Sequence, residues 1–285
     1  LEQILEDKSL YWNDDLAYKM GESAGIEADA MDTDIWYAPG ANIHRNPMGG
    51  RNFEYFSEDP IISGRMAAGI VAGAKSKGLI TTIKHFALNE QESHRNGIFT
   101  WADEQTLREI YLKAFEIPVK EAGCDGIMSA YNRIGTDWCG GCSDLLNDLL
   151  RTEWGYTGYV VSDYSSNMTG SGYMSPAVGV YNGNDTMLTG LWLISMPSHI
   201  IEMEKAYRND PIGFGIALRE ACRNIMNVKM KTKAFLEPSE DAPYLTDLFI
   251  KPDEWEFEEP YTVSNILYLF KNVVNTIILV VRIIM

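Results

Sequence analysis

The feature that most constrains this chain is an alternation of short, unbroken apolar runs with amphipathic stretches. Asp34–Pro39, Leu79–Ile83, Gly126–Ala130 and Gly158–Ser162 are the clearest runs, and Asp185–Leu188 reads as one more short strand. Runs with no polar alternation belong to strands covered on both faces, and strands that alternate with helices join as parallel βαβ units. Between the runs, Ser57 caps a helix with Glu58 and Asp59 in its first turn, carrying Met66, Ile70 and Ala74 and stopping near Gly78. Asp103 caps a second helix with Leu107, Ile110, Tyr111, Ala114 and Phe115 at three-to-four spacing. Ser143–Trp154 and Gly215–Lys231 read as helices too. The fold class is therefore α/β. A closed (β/α) barrel takes about eight such units and about 250 residues. Only five or six are visible here, so the expectation is an incomplete TIM-type barrel with parallel strands.

Composition narrows the partners. Of 285 residues 46% are hydrophobic and 22% charged, which fits a globular chain and excludes a disordered tail or a polytopic membrane protein. The net charge of −16, with no basic run, repels phosphate backbones, so no nucleic-acid partner is expected. Four cysteines do not make a disulfide framework and suit a reducing compartment. The opening LEQILEDKSLYW has no apolar leader and no Met, so a cytoplasmic location is expected and the chain reads as a fragment. Residues 1–233 form the barrel-like part, 234–262 an acidic Pro-containing linker, and 263–285 an apolar C-terminal helix. Ile266–Met285 matches one bilayer span of about 20 residues. Lys271, Asn272, Asn275, Thr276 and Arg282 fall on one of its faces, so membrane contact and a packed or interfacial helix both stay open. A homo-oligomer is equally open.

In parallel α/β sheets, reactive side chains gather beyond the carboxyl ends of the strands. Those positions hold Asn42, His44, Arg45, Arg51 and Glu54 after the first run, and Lys84-His85 with the polar loop Asn89–Arg95 after the second. Ser129–Arg133 follow the third run and Ser162-Asp163-Tyr164 the fourth. Carboxylate, cation, imidazole and phenol on one face suit a neutral polyol. Asp163, next to the aromatic Tyr164, could attack an anomeric carbon or merely cap a loop, and position alone leaves both readings open. Lys84-His85 could hold vicinal hydroxyls or be a hydrogen-bonded core pair, and Arg51 and Arg95 could bind hydroxyls or pair with Glu54 and Glu92.

The segment Gly50-Arg51-Asn52-Phe53-Glu54-Tyr55-Phe56-Ser57-Glu58-Asp59-Pro60, followed by Lys84-His85-Phe86-Ala87 with Asn89, Gln91, Glu92 and Arg95, resembles glycoside hydrolase family 3 of the β-glucosidase type. Met128–Asn132, Leu149–Tyr156 and Val160–Asp163 extend the resemblance, which is collinear from about Tyr11 to about Lys231. It implies a retaining exo-β-glycosidase acting on a β-glucoside or short β-linked oligosaccharide, with no metal or organic cofactor. By the same resemblance Asp163 is the catalytic nucleophile, while Arg51, Lys84, His85, Arg95 and Tyr131 line the glycone subsite. Tyr164 stands where the family has Trp, and Ser165-Ser166-Asn167-Met168 replaces its Gly-Ala continuation. The loop Ala87–Glu92 follows the glucosidase rather than the N-acetylglucosaminidase form. The family's first barrel units and the second domain that supplies the acid/base have no counterpart here, so weak or no turnover is expected of this chain alone. A non-catalytic carbohydrate-binding relic is the alternative from another class. A β-xylosidase or arabinofuranosidase is the alternative within the family.

Other motifs carry less. Trp138-Cys139-Gly140-Gly141-Cys142 resembles a redox loop but lies inside the hydrolase-like run, so plain loop cysteines are expected. No second C-x-x-C supports zinc, and His85, His94, Glu90 and Glu92 lack the H-E-x-x-H spacing. Asn167 and Asn184 begin glycosylation sequons that matter only in a secreted chain.

Overall fold

The computed structural model describes residues 12–165, 172–189 and 195–236. The expected linker and apolar C-terminal helix, with Ile266–Met285, lie outside the described residues. Among the described residues no helix is long and apolar enough to cross a membrane.

The first element is a helix, α1 (Asp14–Ala30), capped by the Asn13 side chain, which accepts from the Asp15 and Leu16 N–H groups at 3.0 and 3.1 Å. No apolar stripe in the sequence predicts this helix. Its buried positions are Ala17, Gly21, Gly25 and Ala28, too weakly apolar to register as an amphipathic stripe. They are small because α1 lies backbone-to-backbone against α2 (Pro60–Lys75). A Cβ at Gly21 would run into the Ile70 carbonyl oxygen, and one at Gly73 into that of Tyr18.

Between these helices runs β1 (Ile35–Trp36), shorter than the expected run. The cap of α2 is Asp59 rather than Ser57: its carboxylate accepts from the Ile61 and Ile62 N–H groups at 2.7 and 2.9 Å. Pro60 explains the shift, since its fixed φ and missing N–H place it at the first helical position. The chain continues through β2 (Ile80–Phe86), β3 (Phe99–Thr100), α3 (Glu104–Thr106), a π-helical stretch Leu107–Tyr111 and α4 (Lys113–Glu121). Asp103 caps α3 as expected, accepting from the Thr106 N–H at 2.9 Å. Next come β4 (Gly126–Ser129), the hairpin β5 (Arg133–Ile134) and β6 (Asp137–Trp138), a π-helix Asp144–Glu153 and β7 (Tyr159–Ser162). The described chain ends with α5 (Pro176–Tyr181), α6 (Ser195–Asn209), α7 (Pro211–Lys229) and α8 (Lys233–Leu236).

β1, β2, β4 and β7 form one sheet in that order, every neighbour parallel. Residues 185–188 do not form the expected strand; the sheet continues past β7 only as isolated parallel bridges, Val161 to Thr186 and Ser165 to Thr189. The parallel strands flanked by helices are those of the expected incomplete TIM-type barrel, and no barrel closure is seen among the described residues. A small second sheet, β3-β5-β6, is built from the connections that leave the carboxyl ends of β2 and β4.

Both faces of the main sheet are covered, the physical reason its strands read as continuous apolar runs. Ile83, Ile127 and Val160 pack with Met66 and Ile70 of α2, Phe115 of α4, and Leu146 and Leu150 of the π-helix. Phe86 anchors this layer, its ring centroid 5.2 Å from that of Phe115 and 5.8 Å from that of Trp154. On the other face Ile80, Met128, Tyr159 and Val161 meet Val228 of α7.

Candidate active site

Three strand ends and two loops bring the expected residues together. β2 ends in Lys84-His85, where its register against β4 shifts and where the Lys84–His85 and Phe86–Ala87 peptides are cis. The loop after β1 folds back over it. Asn42 clamps both main-chain groups of His85: its Oδ1 accepts from the His85 N–H at 2.8 Å and its Nδ2 donates to the His85 carbonyl at 3.1 Å. The same Nδ2 lies 3.1 Å from Oε1 of the buried Glu90. Burial, the largest influence, raises the Glu90 carboxyl to about 7, although the Asn42 amide and the Arg45 charge pull the other way.

The His85 ring is fully enclosed and neutral, because burial and the nearby Arg51, Lys84 and Arg95 charges all push its pKa far down. Its partners fix the tautomer. Arg51 Nη1, which can only donate, is 2.9 Å from Nε2, so Nδ1 carries the hydrogen toward the Tyr55 hydroxyl at 3.2 Å. Tyr55 then donates to the Asn89 carbonyl at 3.4 Å. Tyr55 was not among the sequence-derived site residues; the only clue to it is its place in the Arg51–Pro60 segment.

Asp163 follows β7 directly. Its N–H bonds the Ser129 carbonyl at 3.1 Å, in line with the ladder, and its Oδ1 accepts from the Tyr164 N–H at 2.7 Å. Its Oδ2 is buried with no hydrogen-bond partner. His85 Nε2 stands 3.7 Å from that oxygen, too far for a hydrogen bond and already occupied by Arg51. Burial raises the Asp163 carboxyl above its usual range, against the Tyr164 N–H and the charges of Arg95, Arg51 and Lys84, all of which favour ionisation. Asp163 thus keeps one buried carboxylate oxygen without a hydrogen-bond partner, in the field of three cations.

Those cations are tied by carboxylates of their own. Glu54 bonds Arg51 and lies 3.4 Å from Lys84. Burial opposes its ionisation, yet Arg51 and Lys84 outweigh that and hold it below the usual glutamate range. Glu92 pairs with Arg95 at 2.6 Å and with Arg51 at 3.8 Å, and accepts from Asn89 at 3.0 Å. The Arg95 guanidinium covers the Tyr131 ring 4.3 Å from its centroid, and the Tyr131 hydroxyl donates to the Tyr164 carbonyl at 2.6 Å. Arg51, Lys84, His85, Arg95, Tyr131 and Tyr164 all surround Asp163, directly or through one intermediate residue.

The Cys139–Cys142 loop carries no reactive thiol. Both side chains are buried and free, and burial pushes Cys139 up to about 12 and Cys142 above its usual value. Among the described residues no group of three or more His, Cys, Asp or Glu is placed to hold a metal ion.

A parallel α/β layer with its polar side chains gathered at the carboxyl ends of the strands defines a (β/α)-type catalytic scaffold. Residues 9–197 match the glycosyl hydrolase family 3 N-terminal domain. The chain belongs to that family. β-Glucosidase A of Butyrivibrio fibrisolvens is 48% identical over 153 residues, 54% of this chain and 18% of that protein. The exo-α-(1→6)-L-arabinopyranosidase of Bifidobacterium breve is 46% identical over 155 residues, 54% of this chain and 20% of that protein. The structure of β-glucosidase 3B from Thermotoga neapolitana in complex with glucose superposes with a TM-score of 0.74 at 37% identity, covering 83% of this chain and 32% of that one. The chain therefore spans about a fifth of the length of these curated relatives and about a third of the solved structure.

Proposed function

We propose that this chain carries the sugar-binding half and the nucleophile of a retaining exo-β-glycosidase whose substrate is a terminal β-glucosyl residue. The observation that carries the reading is the unpartnered, buried Oδ2 of Asp163 among Arg51, Lys84, Arg95 and His85. A carboxylate left with one unsatisfied oxygen is costly to bury, and attack on an electrophilic carbon is a use for it. Oδ2 forms the bond to C1 as the C1–O bond to the leaving group breaks. Water then attacks C1, releases the sugar and regenerates the carboxylate. Arg51, Lys84, Arg95 and Tyr131 hold the hydroxyls. Relatives named β-glucosidase, and a related structure that contains glucose, support glucose over other sugars.

The leaving oxygen needs a proton, and the three neighbouring carboxyls are engaged elsewhere. Glu54 and Glu92 neutralise the arginines, and Glu90 sits behind His85 on Asn42. None of the three is free to protonate the leaving oxygen, so this chain by itself turns over natural glycosides weakly or not at all. That same observation favours the second reading, sugar binding without chemistry. An arabinose-type substrate has support in the Bifidobacterium relative.

A 2-deoxy-2-fluoro-β-glucoside with a dinitrophenolate leaving group separates nucleophile from acid, because that group departs without a proton. Mass spectrometry should find the adduct on Asp163, at a rate that falls as pH drops through a value above the ordinary aspartate range. An adduct on another residue would overturn the nucleophile assignment, and binding of glucose with no adduct would favour the binding-only reading.

A further inference from the structure

The hydrogen of the His85 ring is placed by a residue on the side away from Arg51. Arg51 Nη1, 2.9 Å from Nε2, needs a lone pair there, and the hydrogen on Nδ1 then needs an acceptor, because the ring is buried. The Tyr55 hydroxyl, 3.2 Å from Nδ1, is that acceptor. A phenol can donate as well as accept, so a further atom has to commit it. The Asn89 carbonyl, which can only accept, takes the Tyr55 hydrogen at 3.4 Å and leaves the phenol oxygen to accept from Nδ1. Burial holds the Tyr55 phenol well above the ordinary tyrosine value, so the hydroxyl keeps its hydrogen. Asn42 clamps the His85 main chain on both its polar groups, which leaves the ring hydrogen rather than the backbone as the variable.

The place of that hydrogen matters because Asp163 Oδ2 lies 3.7 Å from Nε2 and has no hydrogen-bond partner. A hydrogen on Nε2 would confront the Arg51 donor and be drawn to the carboxylate oxygen. We infer that Tyr55 is a positioning residue: by taking the Nδ1 hydrogen of His85 it keeps Nε2 an acceptor for Arg51 and withholds a hydrogen bond from Asp163 Oδ2. The inference rests on the reading of Asp163 as the nucleophile. A donor on Oδ2 would stabilise the carboxylate before it attacks, and that stabilisation is lost as the bond to carbon forms. Arg51 gains from the same arrangement, since Glu54 holds its Nε and His85 its Nη1. The chain Asn89–Tyr55–His85–Arg51 thus runs from a loop carbonyl to the edge of the pocket.

Nitrogen-15 NMR of the histidine side chains, with the His85 signals assigned by their loss in His85→Gln, tests this. In the parent chain Nε2 should be the unprotonated nitrogen. A hydrogen found on Nε2 overturns the inference, and that measurement needs no variant of Tyr55. Tyr55→Phe keeps the ring and removes only the hydroxyl, and in it the hydrogen should move to Nε2. Labelling of Asp163 by the dinitrophenyl 2-deoxy-2-fluoro-β-glucoside should then slow about tenfold. The pH at which labelling falls away should drop by about one unit, because the new donor favours the charged carboxylate. Arg51, Lys84, Arg95, Tyr131 and Tyr173, the charged and titratable groups around Asp163, are common to both chains and do not account for such a shift. A Tyr55→Phe chain that is merely less stable, with the parental tautomer and pH profile, overturns the inference and leaves the nucleophile reading standing. If the parent takes its adduct on another residue, or takes none, the nucleophile reading fails and this role fails with it.

Discussion

Two aspartates flank β7, both almost fully buried, and they are opposites. Asp185 has every oxygen satisfied: Oδ2 accepts from Arg151 and from the Val160 N–H, each at 2.6 Å, and Oδ1 accepts from Asn224 at 2.9 Å. It braces the strand to the π-helix and to α7. Asp163 keeps one satisfied oxygen and one bare one, with cations near it that do not bond it. The comparison teaches that burial alone says little about a carboxylate's job. A saturated one is part of the frame, and one held short of partners is the candidate for chemistry.

Substitution should separate the pair by kind as well as by size. Asp163→Asn should slow labelling by the fluoroglucoside by about 10³-fold or more, as loss of a covalent nucleophile does, with thermal stability kept or slightly raised. A variant that still labels at the parental rate ends the contrast. Asp185→Ala should act the other way, costing about 3–5 kcal/mol in urea unfolding by stranding the Arg151 charge. If that loss is below about 1 kcal/mol, Asp185 is no brace.

Glu90 sharpens the comparison, because it is a third buried carboxyl and is held by the Asn42 amide rather than by an ion pair. Its folded value of about 7 exceeds the ordinary glutamate value of 4.5, so the folded chain binds the extra proton between them. Stability should therefore fall as pH rises from about 4.5 to about 7, by up to about 3 kcal/mol, and then level off. Glu90→Gln keeps the oxygen for Asn42 and should flatten that slope; an unaltered slope would assign the titration elsewhere. The smallest effect should come from Tyr131→Phe. Losing the hydroxyl bond to the Tyr164 carbonyl should cost about 1 kcal/mol in the same unfolding experiment. A larger fall in glucose affinity than in stability would mean that the hydroxyl also serves the ligand.

The sheet and much of the pocket were legible because their causes are local. Strands covered on both faces must be apolar throughout, and Ile83, Ile127 and Val160 show it. Strand-end loops collect polar groups, which puts Arg51, Lys84, His85, Arg95, Tyr131 and Asp163 among the candidates, while the family resemblance rather than position singles them out. Helix α1 escaped because its packing uses glycine and alanine, whose small size is meaningful only against the facing Gly73. Ser57 gave way to Asp59 as a cap because one proline reset the first turn.

The amino-acid order by itself determined a parallel α/β layer and the set of groups at its mouth, since burial on two faces and strand polarity follow from short-range pattern. The tertiary structure alone decided which of those groups has a partner. Asn42 reaches the His85 main chain from the loop after β1, Arg51 takes the imidazole nitrogen nearest Asp163, and one carboxylate oxygen is left over. Hydrogen bonds act over about 3 Å between residues dozens of positions apart, a proximity that pattern along the chain does not encode.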